Sequence, residues 1–257
     1  CNNKLIEANP WLSTQLVLST HSNHVVNELD LNYMRYFKRV VDVGGKIPVS
    51  KVVNLSNTFG TDDETKQFVT RYIRLTHCDI FFSDAVILVE GPAEKILVPS
   101  FLEKAGLDSY YISVIEVNGR HAHSFRKLIG KIGIATLIVT DIDATETKVG
   151  EDGKERHLPV ITAKGKGYKT GNPSIKSWLL GKEQIDDLLA LDGKEKLVSN
   201  VRIAFQTPVS VKWDKNKDDV TEVCPYTFED ALIFTNLELF RQKGLKKMGT
   251  ITTIANM

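Results

Sequence analysis

The sequence contains little cysteine, no long apolar run and almost no net charge. Its three cysteines are Cys1, Cys78 and Cys224, and none of them forms a CxxC pair. This spacing argues against a zinc ribbon or a disulfide framework and is typical of a protein in the reducing cytosol. No apolar run approaches the ~20 residues that a membrane span requires. We therefore expect a cytoplasmic protein without a membrane partner.

The balance of charge limits how this chain can meet nucleic acid. Its 33 basic and 32 acidic residues leave a formal net charge of +1, so it lacks the general basic field of many small DNA-binding domains. Any phosphate-binding surface must therefore be a local patch. A Walker A glycine loop is absent too, and we expect no ATP hydrolysis by this chain alone. Because the sequence begins at Cys1, within a helix-like pattern, we expect a fragment of a longer protein.

The clearest pattern of secondary structure lies between residues 85 and 144. Ala85–Val89 (AVILV) is an uninterrupted apolar run, as expected of a parallel strand that is covered on both faces. Helices then alternate with strands: helices from Pro92 and over residues 125–132, strands over residues 111–117 and 135–140. Strand, helix, strand, helix, strand at this spacing predicts a doubly wound, parallel α/β unit with right-handed crossovers.

Acidic residues follow the first and third of these strands. Glu90 ends the first strand, with Glu94 one helical turn later, and Asp141 and Asp143 end the third. In a parallel sheet the carboxyl ends of the strands share one edge, where ligands collect, so we expect these side chains in one cleft. Four carboxylates without cations would repel one another and raise each other's pKa values. A pair of Mg²⁺ or Mn²⁺ ions resolves this repulsion and can activate water for hydrolysis.

Each acid also has a simpler interpretation. Glu90 alone could be an ordinary acid at a strand end, Glu94 a first-turn acid favoured by the helix dipole, and the two aspartates turn residues. Their order favours a site, because an apolar strand and Glu-Gly-x-x-Glu are followed, after about fifty residues, by a second apolar strand and Asp-x-Asp. Residues 141–145 also fit the DxDxT pattern of haloacid-dehalogenase-like phosphatases, whose first aspartate (here Asp141, with Asp143 beside it) is a nucleophile. That alternative leaves both glutamates unexplained.

The motifs around these acids resemble a known domain. LVEGPAE at residues 88–94 and IVTDIDA at residues 138–144 are similar to the Toprim domain of topoisomerases, primases and several nucleases. The closer resemblance is to OLD (overcoming lysogenization defect) family ATP-dependent endonucleases, in which a Toprim domain follows an ABC-type ATPase. LSTHSNHVVNEL at residues 18–29 resembles the last catalytic element of that ATPase, and VNGR at residues 117–120 belongs to the same resemblance.

The resemblance implies an α/β fold in two parts. We expect a Toprim fold, which is a parallel sheet flanked by helices, preceded by a β-rich remnant of the ABC-type ATPase domain. The expected bounds are residues 1–60 for the remnant, 61–84 for a helical linker and 85–257 for the Toprim nuclease domain. A helical insertion is expected at about residues 172–200. Within the remnant, residues 15–19 (QLVLS) predict a strand.

For activity, the resemblance implies a metal-dependent endodeoxyribonuclease that nicks or cuts DNA with two Mg²⁺ or Mn²⁺ ions. Glu90 matches the family's metal-binding or general-base glutamate, and Asp141 and Asp143 match its metal-binding pair. These three are the expected catalytic residues. Glu94 fits the second glutamate of OLD-type sites and is an expected metal ligand.

Two further family features fall near the end of the sequence. Family members have a later acid at a helix start, for which Glu229 is the preferred candidate metal ligand and Asp230 the alternative. On their own, these two acids fit the amino end of a helix through its dipole. OLD enzymes also resemble one another in a catalytic lysine further on. It cannot be assigned here, because Lys243, Lys246 and Lys247 come early for it.

The resemblance also implies properties of a longer protein. His21 would sense the γ-phosphate of ATP in the intact ATPase, so ATP is expected as a cofactor of the full-length protein only. OLD-type proteins are similar in forming homodimers, here expected through the ATPase region, and often act in phage defence, sometimes with a helicase partner. The non-enzymatic alternative is a degenerate Toprim domain that serves as a dimerisation or DNA-binding platform.

Two groups of basic residues lie outside this pattern. Lys164, Lys166 and Lys169 alternate with glycines and suggest a flexible loop that grips DNA phosphates, although a solvated loop fits as well. His121 and His123 invite a metal site. No acid or cysteine stands at a partnering spacing, so we expect these histidines in the loop before a helix instead.

Overall fold

The computed structural model describes residues 16–40, 47–74, 78–118, 120–213 and 219–242. The first elements are a short helix, α1 (Asn23–Asn27), and two antiparallel strands, β1 (Arg35–Val40) and β2 (Val49–Asn54). Helix α2 (Asp63–Tyr72) follows, and its N-cap, Asp62, accepts a hydrogen bond from the backbone N–H of Thr65. The first part of the chain thus combines a strand pair with a short helix on each side.

The strand predicted near the N-terminus is not formed. Gln15 lies outside the described residues, and residues 16–19 have no regular structure. Leu16, Val17 and Leu18 are 74%, 81% and 59% exposed, and the sheets of the described residues offer them no partner strand. The prediction is therefore wrong, because an apolar run forms a strand only where a neighbouring strand satisfies its backbone hydrogen bonds.

The middle of the chain alternates between strands and helices, which are β3 (Ala85–Val89), α3 (Pro92–Lys104), β4 (Ile112–Glu116), α4 (Arg126–Ile132) and β5 (Ala135–Val139). Helix α3 begins at Pro92, where a proline sacrifices no helical hydrogen bond, and it continues through Pro99. Gly133 ends α4 with a φ of 63°, a left-handed conformation that glycine adopts without strain. The predicted alternation is confirmed.

After β5 the chain forms a small antiparallel sheet, called the arm sheet below. It consists of β6 (Ala144–Val149), β7 (Glu155–Pro159) and β8 (Lys169–Thr170), in the order β7-β6-β8. All five residues of β7 are exposed, whereas Ala144, Thr145 and Thr170 are buried. The arm sheet is therefore buried where β6 begins and β8 ends, and exposed along its outer strand.

The described residues from 173 onward form α5 (Pro173–Trp178), α6 (Ile185–Ala190), β9 (Leu197–Val198), β10 (Val201–Ala204), β11 (Val209–Val211), β12 (Thr221–Val223), α7 (Phe228–Thr235) and α8 (Leu237–Gln242). The region expected to be a helical insertion, residues 172–200, thus holds two helices of six residues each and the short strand β9. Neither these helices nor any other in the described residues is long and apolar enough to cross a membrane.

The central sheet has the strand order β4-β3-β5-β10-β9. Strands β4, β3, β5 and β10 run parallel, and β9 runs antiparallel to β10. From β3 the chain passes to β4 on one side of β3, and from β4 it passes back to β5 on the other side of β3. This is a topological switch point, where open α/β sheets bind their ligands beyond the carboxyl ends of the strands.

Both faces of the central sheet are covered. Ile87 and Val89 pack with Val98 of α3 on one face. Val86 and Leu88 point to the other face, since side chains alternate along a strand, and they belong to a larger apolar cluster that includes Leu128 of α4. Burial on both faces explains why β3 is apolar without alternation.

The N-terminal strand pair packs against this α/β unit. Leu55 and Phe59 are buried in the same apolar cluster as the central strands. Lys38 of β1 donates hydrogen bonds to the carbonyl oxygens of Ile132, at 3.2 Å, and Gly133. The lysine therefore satisfies carbonyl groups at the carboxyl end of α4, where a positive charge is also favoured by the helix dipole.

Candidate active site

Acidic side chains gather at the carboxyl edge of the central sheet, at its switch point. Strands β3 and β5 pair in parallel, with Val89 directly opposite Val139. Glu90 therefore leaves the sheet beside Thr140, and Asp141 follows immediately. The structure brings these two acids to one place although about fifty residues separate them in sequence.

Glu90 is held through one of its two carboxylate oxygens. Its Oε1 accepts hydrogen bonds from the Thr140 hydroxyl, from the Asp141 backbone N–H at 3.3 Å and from Nδ2 of Asn172 at 3.1 Å. All three donors are electrically neutral. The described residues donate no hydrogen bond to Oε2, so Glu90 is fixed in place while one oxygen stays available to a ligand.

Asp141 is strongly perturbed. Burial raises the pKa of Asp141 to about 7, and the negative charge of Glu90 adds to this effect. Asp143 and Glu94 act in the same direction, whereas a hydrogen bond from Nε2 of Gln206 to Oδ1 of Asp141 lowers the pKa. A carboxyl group with such a raised pKa lacks compensating positive charge, which is what a divalent cation would supply.

Asp143 lies in the short connection between β5 and β6 and has a φ of 49°, a conformation that aspartate tolerates better than most residues. Its Oδ2 accepts a hydrogen bond from Nδ2 of Asn172 at 3.0 Å and lies 3.7 Å from Nη1 of Arg120. Burial raises the pKa of Asp143, and the Arg120 guanidinium and the Asn172 amide partly offset this. Because the Arg120 side chain is half exposed, the ion pair leaves much of the negative charge uncompensated.

Glu94 lies in the first turn of α3 and is only 6% exposed. Burial raises its pKa, and the negative charges of Glu229 and Glu90 raise it further, while backbone N–H groups counteract them. One of these N–H groups belongs to Gly91, the N-cap of α3. Glu94 therefore has both the helix-start role that its position predicts and an electrostatic connection to the acid cluster.

The two late acids, Glu229 and Asp230, both lie in the first turn of α7 but make different interactions. Asp230 forms a capping box with Thr227, in which each side chain accepts the other residue's backbone N–H, at 3.3 and 3.2 Å. Such a box satisfies two N–H groups at the start of the helix. Glu229 has no part in it and lies close enough to Glu94 to raise its pKa. Of the two candidates, Glu229 is thus the one that acts on the cluster.

Two buried amide side chains complete the cluster, and neither belongs to the motifs that predict the acids. Asn172 is fully buried and Gln206 is 7% exposed. Asn172 stands before Pro173 at the start of α5, and this Asn-Pro pair is a recognisable N-cap signal in the sequence. Gln206 carries no such signal, because only the pairing of β10 with β5 brings it beside Asp141.

The acids fit divalent ions by the chemistry of their oxygen atoms. In the described part of the chain, no three His, Cys, Asp or Glu side chains are grouped to hold one metal ion between them. Mg²⁺ does not require such a group, because it keeps several waters and binds through one or two carboxylates and substrate phosphates. Glu90, Asp141 and Asp143 each direct one oxygen to an amide donor. The described residues donate no hydrogen bond to the other.

The three lysines expected to contact DNA lie at and before β8. Lys164 donates a hydrogen bond to Oε1 of Glu222 at 2.7 Å, and both side chains are about half exposed. Lys166 and Lys169 are exposed. Because Lys169 begins β8 and this strand leads directly to Asn172, the end of the loop is anchored at the acid cluster.

The paired histidines lie where the sequence predicts, in the turn before α4. Residues Ala122–Phe125 form a short 3-10 helix that includes His123 and begins next to His121. His121 packs against Phe68, with ring centroids 5.2 Å apart, and Nδ1 of His123 lies 2.8 Å from the carbonyl oxygen of Arg120. These contacts are with an aromatic ring and the backbone, which fits a structural role.

Other predicted residues lie away from the cluster or outside the described residues. His21 is exposed in the segment without regular structure that precedes α1. The three lysines considered for the family's catalytic lysine lie outside the described residues, and they are Lys243, Lys246 and Lys247.

Comparison with known proteins identifies the segment that carries the four early acids. Residues 81–143 match the family model described as overcoming lysogenization defect protein-like, TOPRIM domain. Over 238 residues the chain is 27% identical to endonuclease GajA of Bacillus cereus strain HuB5-5. The aligned region covers 89% of this chain and 32% of that protein. Endonuclease GajA of Bacillus cereus strain VD045 is 24% identical over 208 residues, or 80% of this chain and 29% of that protein.

These matches agree with the fold. The chain spans about a third of the length of the curated relatives that it matches. The segment that matches the family model runs from just before β3 to Asp143, so it contains the parallel strands β3, β4 and β5 and the acids that follow them. Residues 81–143 of this chain are therefore similar to the Toprim domain of proteins like the overcoming lysogenization defect (OLD) protein.

Proposed function

We propose that this chain is the catalytic region of a metal-dependent endonuclease that hydrolyses the phosphodiester bonds of DNA. The observation that carries the proposal is the cluster of Glu90, Glu94, Asp141 and Asp143 at the switch point of the sheet, where burial raises the pKa of Asp141 to about 7. The Toprim match and the similarity to two proteins named endonuclease support a nuclease. Because DNA phosphates are anions, an acidic site meets them only with cations between the two.

Each acid has a role in this proposal. Glu90 and Glu94 would hold one Mg²⁺ or Mn²⁺ ion, Asp141 and Asp143 would hold a second, and Glu229 would bridge them or complete a ligand set. When bound, such ions supply Lewis-acid stabilisation of the phosphate and a water of lowered pKa. In the net reaction a water oxygen bonds to phosphorus, one ester P–O bond breaks, and the leaving oxygen takes up a proton.

The chain's own residues prepare this reaction by holding the acids still. Asn172 and Gln206 donate neutral hydrogen bonds to three of the carboxylates, which fixes their oxygens before substrate arrives. Lys166 and Lys169, which are both exposed, are proposed to contact the DNA backbone. Lys164 would also contact the DNA backbone, by leaving its ion pair with Glu222 and binding a phosphate instead. An exposed ion pair of this kind contributes little stability, so the change of partner costs little.

The direct test is cleavage of supercoiled plasmid by the purified chain with Mg²⁺, Mn²⁺, Ca²⁺ or EDTA. We expect nicked and linear DNA with Mg²⁺ or Mn²⁺ and none with EDTA. Asp141→Ala should reduce cleavage at least a hundredfold, because the variant loses a carboxylate that would bind the second ion. Its circular dichroism spectrum should stay the same as that of the parent chain. Glu90→Ala should do the same for the first ion.

The matched control is Asp152→Ala in the turn between β6 and β7, where an exposed aspartate pairs with Arg156 at 3.1 Å. This variant should cleave DNA at the parent rate. Full activity of folded Asp141→Ala would rule out the proposed site. DNA binding without cleavage under any of these ions would favour the platform alternative. Release of phosphate from p-nitrophenyl phosphate by Asp141 and Asp143 would favour the phosphatase alternative.

The proposal extends to the longer protein to which this chain is similar in part. There, residues 1–60 would end an ABC-type ATPase, residues 61–84 would be a helical linker and residues 85–257 the Toprim nuclease domain. His21 would then sense ATP. A homodimer through the ATPase region and a helicase partner in phage defence follow from the same family resemblance.

A further inference from the structure

The side chain of Asn172 lies at the centre of the acid cluster. Its Nδ2 is 3.1 Å from Oε1 of Glu90 and 3.0 Å from Oδ2 of Asp143. The same nitrogen is 2.8 Å from the Thr140 hydroxyl and 2.8 Å from the backbone carbonyl oxygen of Asp141. One NH₂ group with two hydrogens thus faces four oxygen atoms, and it connects acids that follow two different strands.

The other end of the amide fixes this orientation. Oδ1 of Asn172 accepts hydrogen bonds from the backbone N–H groups of Ser174, at 2.8 Å, and Ile175, at 3.4 Å. Asn172 is therefore the N-cap of α5. If the amide were flipped, NH₂ would face two N–H donors and the oxygen would face carboxylates, so only the observed orientation satisfies both ends. Because the residue is fully buried, it has no other direction in which to turn.

The chemistry of this contact matters as much as its geometry. A lysine or arginine at this position would also hold the carboxylates, but its positive charge would cancel part of the negative charge that attracts a divalent ion. An amide holds them without cancelling any charge. Gln206 repeats this arrangement, since its Oε1 accepts the Ile142 N–H at 2.8 Å while its Nε2 donates to Asp141.

We infer that Asn172 is a positioning residue for metal binding, which holds one oxygen each of Glu90 and Asp143 so that their other oxygens are oriented for divalent ions. The inference rests on the proposed function, because it assumes that these acids bind metal. Outer partners of metal ligands typically change metal affinity by about ten- to a hundredfold when they are removed.

The test is titration of the chain with Mn²⁺ by isothermal titration calorimetry, which measures binding without DNA cleavage. Asn172→Ser is the informative variant, because serine is a good N-cap for α5 but is too short to reach Glu90 and Asp143. We expect its Kd for Mn²⁺ to be about tenfold weaker than that of the parent chain. The Mg²⁺ concentration that gives half-maximal DNA cleavage should rise by a similar factor.

The control for a general loss of stability is Asp62→Ala, which removes the N-cap of α2 outside the cluster. This variant should melt at a lower temperature than the parent and bind Mn²⁺ with the parent Kd. A folded Asn172→Ser chain with a Kd within twofold of the parent would overturn the inference, since Asn172 would then be only a helix cap. If the parent chain binds no Mn²⁺, the proposed function and the inference both fail.

Discussion

The central sheet and the arm sheet meet at the acid cluster and differ in almost every other respect. Strand β3 of the central sheet is buried on both faces, whereas every residue of β7 in the arm sheet is exposed. The central sheet supplies Glu90 and Asp141 from strand ends that packing holds rigid, and the arm sheet returns the chain through β8 to Asn172. The acids therefore lie between the packed core of the central sheet and the buried end of the arm sheet, whose outer strand is exposed.

The largest effect should come from breaking the central sheet. Ile138 in β5 is fully buried among apolar residues, so Ile138→Ala leaves a cavity directly beneath the acids. We expect the free energy of unfolding to fall by about 2–5 kcal/mol. Urea denaturation followed by circular dichroism measures this loss. A loss below about 1 kcal/mol would mean that the core around β5 repacks, contrary to a rigid support.

A smaller effect is expected where the two sheets join. A Cβ atom added at Gly171 would lie 2.9 Å from Cγ2 of Thr145 and 3.4 Å from the carbonyl oxygen of Asp143. In Gly171→Ala, either the Thr145 side chain or the segment that leads to Asn172 must therefore shift. We expect a stability loss of about 1–3 kcal/mol, as for other overpacked positions. DNA cleavage should fall about tenfold, because outer partners of metal ligands have effects of this size.

The comparison variant for this position is Gly130→Ala in α4, where an added Cβ meets no atom within 4 Å. It should leave cleavage unchanged and stabilise the helix by up to about 1 kcal/mol. Thermal melting and the plasmid assay, run on both glycine variants, separate crowding at the join from a general effect of alanine. Equal behaviour of the two variants would contradict the close approach at Gly171.

The smallest effect belongs to the outer strand of the arm sheet. Leu158 in β7 is 43% exposed, so Leu158→Ala removes few buried contacts. The free energy of unfolding should change by less than about 1 kcal/mol, and the rate of DNA cleavage should not change. Urea denaturation of this variant and of Ile138→Ala under the same conditions compares the free energy lost when an apolar side chain is shortened in each of the two sheets. A larger loss would indicate that β7 packs against something that its exposure does not reveal.

The sequence predicts the central sheet well because the information for it is local. Five consecutive apolar residues, a glycine and a proline suffice to identify β3 and the start of α3, and the parallel α/β fold is confirmed. The strand expected over residues 15–19 fails for the opposite reason, since a strand needs a partner that its own residues do not specify. Glu90 and Asp141 could be placed at one edge because parallel strands align their carboxyl ends.

The amide residues of the cluster show the limit of such reasoning. Asn172 is identifiable as a helix N-cap from its own neighbours, but its second contact is with Glu90, 82 residues away. Gln206 lies 65 residues from Asp141, and nothing in its local sequence distinguishes it from other glutamines at strand ends. Local patterns thus identify the acids, whereas the residues that hold them depend on the order of strands in the sheet.

The long sequence separation between the acids and the amides also determines when the site can form during synthesis of the chain. A nascent chain that has emerged as far as Asp143 already contains Glu90, Glu94 and Asp141, but it lacks the amides that hold them and the strand β10 that closes the sheet beside β5. Contacts between residues so far apart in sequence form late in folding, because closing long loops costs entropy first. On the proposed function, the growing chain therefore carries its acids long before it can cut DNA, and nuclease activity becomes a property of the finished domain.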